Sequence, residues 1–189
     1  MRVWNANPQS LEDFATVWGK PMTSPIAMSD LVPVDWIIDG LKANNSDQVV
    51  TQLAGLFATK SGLSRAVIED TQSRRADLTT FGLGGGIAVI HGTVQGLERP
   101  QAVFARLRNP VSFGAADDRA ADIVFLLLAN EGDEIGLLRS LACIARRMRC
   151  VADALRQAMC VEALHVILVG DLHNSESCRF YGADERISA

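Results

Sequence analysis

The sequence lacks the segments that would place a protein in a membrane or direct it out of the cell. Its longest apolar run, residues 123–129, falls far short of the roughly 20 residues that a membrane-spanning helix needs. The N-terminal stretch MRVWNANPQSLEDF contains no apolar segment typical of a secretory leader. We therefore predict a cytoplasmic protein that does not insert into a membrane.

Paired cysteines and clustered metal ligands are also missing. The four cysteines form no CxxC pair and have no histidine at metal-ligand spacing; they are Cys143, Cys150, Cys160 and Cys178. The triplet DLH at 171–173 could bind a metal, but we interpret it as part of a solvated tail. The sequence thus predicts reduced thiols, no metal site and no cofactor.

An excess of positive charge is a third absence. The formal net charge is −4 at pH 7, and nucleic acids and anionic lipids both favour basic surfaces. One local cluster, RRMR at 146–149, falls late in a predicted helix, where cations complement the helix dipole. We therefore expect no nucleic-acid partner.

The composition that is present favours one folded α/β domain. The chain has 189 residues, of which 48% are hydrophobic, enough to bury a core without crosslinks. Residues 1–27 contain three prolines and no sustained periodicity, so we predict a tail or arm, a domain at 28–170 and a polar tail at 171–189. Because Met28 would be an equally sensible start, the sequence leaves open whether residues 1–27 are translated.

Hydrophobic periodicity predicts alternating strands and helices along this domain. Strands are predicted at 34–38, 87–90, 101–107 and 123–128, with a loop over 111–122. Ser46 is predicted to cap a helix that stops at Gly62, and Ser64 a second helix that ends near Arg75. A long helix begins at Asp133 or Glu134, and two short ones follow at 151–158 and 162–169, although HVILV within the second could also be a strand.

The most unusual stretch is TTFGLGGGIAVIHGTV at 79–94. It brings together four glycines, Gly82, Gly84, Gly85 and Gly86, then a short apolar strand, then His91. A P-loop would need a lysine and a hydroxyl where Ile87 and Ala88 stand, and a dinucleotide fingerprint would need a third glycine and a helix. Neither phosphate-binding motif is therefore present, and no GxSxG nucleophile elbow occurs.

His91 and its surroundings allow two interpretations on pattern alone. An imidazole can accept a phosphoryl group, and the guanidinium of Arg75 together with glycine amides could meet the added charge. The alternative is a structural histidine that follows a glycine turn, which is the more common outcome for a short motif.

A resemblance to a known family favours the first interpretation. The span 29–168 resembles the IIA proteins of the bacterial phosphoenolpyruvate-dependent phosphotransferase system, fructose/mannitol branch, with greater likeness to the nitrogen-regulatory group. Its RADLTTFGLGGGIAVIH stands where that family has RExLGSTGIGNGIAIPH, and the strand, acidic loop and long helix follow in order. The resemblance implies a three-layer α/β/α domain with a mixed sheet. It also implies that His91 accepts a phosphoryl group from an HPr-like carrier and that Arg75 stabilises it.

Four positions depart from the family pattern. They are Ala76 for a glutamate, Gly85 for an asparagine or histidine, Ile90 for a proline, and Leu137 where a second active-site histidine usually stands. Loss of a positioned acid–base group typically slows a step by about 10² to 10⁴-fold. The resemblance therefore leaves the transfer rate of this chain open.

Three functional hypotheses follow from the resemblance. The first is a cytoplasmic IIA-type regulator, phosphorylated on His91, whose phosphorylation state controls partners that by analogy include transporter or sensor regulatory proteins. The second is a degenerate IIA fold that binds proteins without phosphotransfer, and the third is a sugar-specific IIA subunit of a permease. The resemblance implies no cofactor. It leaves open whether the chain is active, and an active chain would be a phosphoryl carrier; the oligomeric state is not predicted.

Overall fold

One mixed β-sheet forms the centre of the molecule. The computed structural model describes residues 26–63 and 79–170. In this part the sheet has the order β1-β4-β5-β3-β2, with β1 at Ile37–Leu41, β2 at Thr79–Gly84, β3 at Ile87–Val94, β4 at Gln101–Val111 and β5 at Ala121–Asn130. The β1–β4 and β3–β5 pairs are parallel, and the β2–β3 and β4–β5 pairs are antiparallel. The predicted mixed sheet is confirmed.

Helices cover both faces of this sheet. They are α1 at Met28–Leu31, α2 at Ser46–Ser61, α3 at Glu134–Gln157 and α4 at Val161–Val169. Residues 123–129 of β5 are all buried, and because successive strand residues point to opposite faces, both faces must be covered. Helices α3 and α4 pack together on one side, and α2 packs against β4 and β5 on the other. This is the predicted three-layer α/β/α arrangement.

Helix α2 shows how local sequence sets these elements. The Asn45 side chain accepts a 2.9 Å hydrogen bond from the Gln48 backbone N–H, so Asn45 is the N-cap rather than the predicted Ser46. Gly62 ends the helix with φ of 73°, as predicted, because a left-handed residue at this position favours glycine. One face of the helix is buried, including Val49, Leu53 and Phe57.

Several predicted boundaries need correction. Residues Val34–Trp36 form a 3-10 turn, and β1 begins only at Ile37. The predicted separate helix at 151–158 is wrong, because α3 continues to Gln157 and no glycine or proline interrupts residues 137–157. The segment 162–169 is helical, whereas the helix predicted at 64–75 lies outside the described residues.

Arg106 links the C-terminal end of α3 to the sheet through hydrogen bonds. From β4 its Nη1 donates to the backbone oxygens of Leu155, Arg156 and Ala158 at 2.8–3.1 Å, and its Nε donates to Asp39 Oδ1 of β1 at 2.7 Å. The last carbonyls of a helix lack the partners that the next turn would supply, and Leu155 accepts only a long 3.4 Å bond from the Ala158 N–H, so this helix end needs such a donor. The contact also identifies the sheet face on which α3 lies.

Candidate functional site

His91 lies where β3 becomes accessible. The four residues before it, Ile87–Ile90, are buried, and His91 is the first residue of the strand that is partly exposed. It pairs with Thr79 of β2 on one side and with Leu127 of β5 on the other. The predicted buried strand before His91 is confirmed, and pairing on both sides fixes the backbone at this position.

The strand register places His91 on the side of the sheet that faces α3. Ile87 of β3 pairs with Ile123 of β5, which pairs with Arg106 of β4. Paired residues share a face, and the Arg106 side chain bonds the end of α3. His91 lies four residues after Ile87 in an unbroken register, so it projects on that same face.

The two ring nitrogens of His91 differ in their surroundings. Nδ1 is buried and has no hydrogen-bond partner among the described residues. His91 as a whole is partly exposed, and because Nδ1 is buried, other atoms of the residue must account for that exposure. Since buried polar atoms are nearly always hydrogen-bonded, the bare Nδ1 requires an explanation. Buried in this way, Nδ1 is closed to a reactant that approaches from outside.

The glycine segment forms the turn of the β2–β3 hairpin. Gly84, Gly85 and Gly86 all have positive φ, between 63° and 82°, where other residues are strained. The Gly85 N–H donates to Asp117 Oδ2 at 2.8 Å. The pKa of Asp117 is lowered because the backbone N–H of Gly85, and then that of Arg119, donates to its carboxylate. The tight turn suggested by the sequence is therefore confirmed.

Arg156 holds this turn against the core. Its Nε and Nη2 contact the Asp122 carboxylate at 2.7 and 2.8 Å, and Nη2 also donates to the Gly85 oxygen at 2.5 Å. Hydrogen bonding to Asp122 raises the pKa of Arg156. The sequence analysis missed Arg156, Asp117 and Asp122, because these partners are separated by at least 32 residues and form no local pattern.

The structure does not bring the glycine turn and His91 together. Gly86 precedes His91 by five residues of extended strand, which span about 16 Å. That separation is several hydrogen-bond lengths, and the Gly85 N–H already has a carboxylate partner. The geometry gives Gly84, Gly85 and Gly86 a place in the hairpin turn and does not support their predicted contact with a phosphoryl group on His91. Gly82 lies within β2 and pairs with Ala88.

Leu137 lies at the same end of the sheet as His91. Strands β3 and β5 are parallel, and α3 begins just after β5 ends at Asn130. Leu137, in the first turn of α3, is partly buried against the core and offers no polar group to the site. Arg75, the predicted phosphate-stabilising residue, lies outside the described residues, as does Ala76.

The described residues hold no metal-binding cluster. No group of three or more His, Cys, Asp or Glu side chains lies together in residues 26–63 and 79–170. In the same ranges, no helix is long and apolar enough to cross a bilayer. Cys143 and Cys160 are free thiols, and burial raises the pKa of Cys143. Cys150, however, is disulfide-bonded, so the prediction of four reduced thiols is wrong at this position.

Comparison with known proteins gives matches to one family over most of the chain, including the strand that carries His91. A family model described as phosphoenolpyruvate-dependent sugar phosphotransferase system, EIIA 2, matches residues 30–168. The nitrogen regulatory protein of Bradyrhizobium diazoefficiens is 35% identical over 143 residues, covering 75% of this chain and 94% of that protein.

Two solved structures share the fold. The nitrogen regulatory protein IIA-Ntr from Neisseria meningitidis has a TM-score of 0.66 and 25% identity, over 75% of this chain and 98% of the other. The complex of IIA-mannitol and phosphorylated IIB-mannitol from Escherichia coli has a TM-score of 0.57 and 20% identity, over 75% and 100%, and supports the fold alone. The chain belongs to the EIIA 2 family of the phosphoenolpyruvate-dependent sugar phosphotransferase system.

Proposed function

We propose that this chain is a regulatory phosphoryl carrier, whose His91 accepts a phosphoryl group from an HPr-like phosphocarrier. The observation that carries the proposal is the environment of His91: a partly exposed histidine on a strand that is paired on both sides, with Nδ1 buried. The likeness to nitrogen regulatory proteins favours regulation over sugar transport. The site of action is the cytoplasm.

The transfer step uses Nε2 as the nucleophile. Its lone pair attacks the phosphorus of the carrier's phosphohistidine, a new P–N bond forms, and the carrier's imidazole leaves with its bonding electron pair and takes up a proton. For this attack the ring proton of His91 must reside on Nδ1, and that proton is lost after transfer if the product ring is neutral.

The negative charge of a phosphoryl group on His91 requires hydrogen-bond donors nearby. A phosphoryl group adds about −1.5 to −2 charges, which a guanidinium can meet with two parallel hydrogen bonds. We assign this role to Arg75 because its spacing from His91 matches that of the arginine and histidine in the family motif. Leu137 contributes no hydrogen bond, so the phosphoryl group has one fewer donor than the family pattern provides.

The phosphorylation state then decides which protein binds. The group adds about −1.5 to −2 charges beside the accessible part of β3, and such a change favours or repels a docking partner through electrostatics. By analogy with the regulatory branch of the family, the partner class in this proposal is transporter or sensor regulatory proteins. The sugar-specific permease role ranks lower, because the nitrogen regulatory relatives are the more similar proteins.

A second candidate is a binding module of the same fold that no longer transfers phosphate. Leu137 favours it, because a leucine does not offer the polar support that a phosphoryl acceptor uses. In this function the partner would recognise the unmodified surface.

The experiment incubates the full chain with phosphoenolpyruvate, enzyme I and an HPr-like carrier, and follows intact mass. We expect an acid-labile, alkali-stable gain of one phosphoryl group, absent in His91→Gln and retained in the matched control His165→Gln. His165 is suitable because it is partly exposed on α4, outside the site. If the wild type shows no mass gain while a control IIA protein is labelled in the same tube, the phosphoryl-carrier proposal is wrong and the binding-module function remains.

Arg75→Ala separates a phosphate-stabilising role from a structural one. We expect slower labelling with an unchanged thermal midpoint. A loss of folded structure instead would make Arg75 a structural residue.

A further inference from the structure

Strand β3 has two positions that are accessible, and they are His91 and Thr93. Of its eight residues, Ile87–Val94, the other six are buried. Successive strand residues point to opposite faces, so two residues that are two positions apart project on the same face. Thr93 therefore projects beside His91, on the side of the sheet that faces α3.

The hydroxyl of Thr93 is not used by the fold. Within residues 26–63 and 79–170, Thr93 Oγ1 makes no hydrogen bond. By contrast, the hydroxyls of Thr51 and Thr59 donate to backbone oxygens of α2, at 2.8 and 2.9 Å. Because Thr93 is partly exposed, water can satisfy its hydroxyl, and a charged acceptor can replace that water.

The neighbours of His91 along β3 favour one position for a group bound to the ring. On the same face, the residue before His91 is Val89, which is apolar and 1% exposed. Thr93 lies on the other side of His91, about 6.7 Å away along the strand. An imidazole that carries a phosphoryl group is longer than this separation, and strand side chains lean along the strand. A charged phosphoryl group needs water or donors around it, so Thr93 suits it and Val89 does not.

The adjacent strand leaves room at this position. Thr93 pairs with Ala129 of β5, whereas His91 pairs with the larger Leu127. The side of Thr93 that faces β5 therefore has only a methyl group beside it on this face. A β-branched side chain in a strand has few χ1 rotamers, so the Thr93 hydroxyl loses little freedom when it binds a ligand.

We propose that Thr93 is a phosphate-binding residue, whose hydroxyl donates a hydrogen bond to an oxygen of the phosphoryl group on His91. This inference rests on the proposed function of His91 as the phosphoryl acceptor. The bond supplies a donor on the side of the sheet where Leu137 offers none. The hydroxyl proton stays on Thr93 and no covalent bond to Thr93 forms, so the transfer between the two imidazoles is otherwise unchanged.

The test measures the equilibrium of phosphoryl transfer between the HPr-like carrier and the full chain. Intact mass gives the phosphorylated fraction of both proteins, and Thr93→Val removes the hydroxyl while it keeps the shape of the side chain. A hydrogen bond to a charged group is worth about tenfold or more in an equilibrium constant, so we expect Thr93→Val to lower the transfer constant by about tenfold. Thr93→Ser retains the hydroxyl and should stay within about threefold of the wild type.

The matched control is Thr59→Val, which removes an exposed hydroxyl from α2, on the other side of the sheet. Its transfer constant should equal that of the wild type, and all variants should keep the same thermal midpoint. A structural role for Thr93 would change the midpoint and would not produce a transfer constant that serine restores.

The outcomes separate this inference from the proposed function. If the wild type takes up no phosphoryl group, the proposed function is wrong and the inference falls with it. If the wild type is phosphorylated and Thr93→Val has the same transfer constant, the inference alone is overturned and the role of His91 stands. A higher KM for the carrier with an unchanged transfer constant would also overturn the inference, because Thr93 would then contact the carrier and not the phosphoryl group.

Discussion

The two ends of the β2–β3 hairpin differ in how completely their polar groups are satisfied. At the turn, the Gly85 N–H and oxygen are bonded to Asp117 and Arg156, and the Gly86 oxygen accepts the Asp122 N–H at 2.9 Å. At the other end, His91 keeps a buried nitrogen without a partner in the described residues. A satisfied region builds the fold, whereas an unsatisfied one in an accessible place is typical of a functional site.

This comparison predicts that changes near His91 alter phosphorylation and that changes at the turn alter stability. The largest effect is expected from Leu137→His. An imidazole at the start of α3 would add a hydrogen-bond donor on the His91 side of the sheet, so we expect phosphorylation about 10²-fold faster, or about 2.7 kcal/mol in activation free energy. Quench-flow labelling measures the rate. Leu141→His, one turn later on α3 and also partly buried, is the control. An equal gain in both variants would show that position 137 is not special.

The next effect is expected from Arg156→Ala, at the turn. The Arg156 and Asp122 side chains are 22% and 27% exposed, so removal of the guanidinium leaves a largely buried carboxylate without its partner. We expect the free energy of unfolding in urea to fall by about 2 kcal/mol. Arg149→Ala, an exposed position on the same helix, should change it by less than about 0.5 kcal/mol. If Arg156→Ala instead slowed phosphorylation of the folded protein more than about tenfold, the assignment of stability to the turn and of phosphorylation to the His91 end would be wrong.

A smaller effect separates two adjacent glycines. A Cβ on Gly86 would lie 3.1 Å from Arg156 Nη2 and from Asp122 Oδ1, whereas a Cβ on Gly85 would meet nothing within 4 Å. Both have positive φ, so both alanine variants carry backbone strain of about 1 kcal/mol. Gly86→Ala should therefore destabilise more than Gly85→Ala in the same urea titration. Equal losses in unfolding free energy would mean that the Arg156 and Asp122 side chains move away from the new Cβ at no energetic cost.

The smallest effect is a pH dependence. The folded pKa of Asp117 lies below its usual value of 3.8, because the Gly85 N–H and then the Arg119 N–H donate to the carboxylate. A depressed pKa stabilises the fold above the unfolded value, and this stability is lost as the pH falls through the folded value. The difference in unfolding free energy between the wild type and Asp117→Asn should thus be present at pH 6 and shrink below about pH 4. A difference that does not change with pH would contradict this assignment.

The sequence predicted the elements that depend on local signals. Gly62 ends α2 because a left-handed C-cap favours glycine, and the run in β5 is buried on both faces because it is apolar throughout. His91 was found from the motif and the family resemblance. The family comparison confirms the membership.

The sequence did not predict features that depend on distant contacts. The glycines predict a turn but not strand β2, since the pairing of β2 with β3 depends on register rather than on apolar alternation. Arg156 bonds Asp122, which is 34 positions away, and Gly85, which is 71 positions away. No rule based on sequence spacing predicts contacts over such separations. The contact predicted between the glycines and His91 arose from closeness in sequence, and an extended strand keeps the two apart.

The central claim is that His91 accepts a phosphoryl group on Nε2 while Nδ1 stays buried. The most direct measurement is a long-range ¹H–¹⁵N spectrum of the ¹⁵N-histidine-labelled chain, recorded before and after phosphorylation by the HPr-like carrier. Our account predicts a ¹⁵N–³¹P coupling on Nε2 of His91 only. Coupling on Nδ1 of His91, or on either nitrogen of His165, would contradict it.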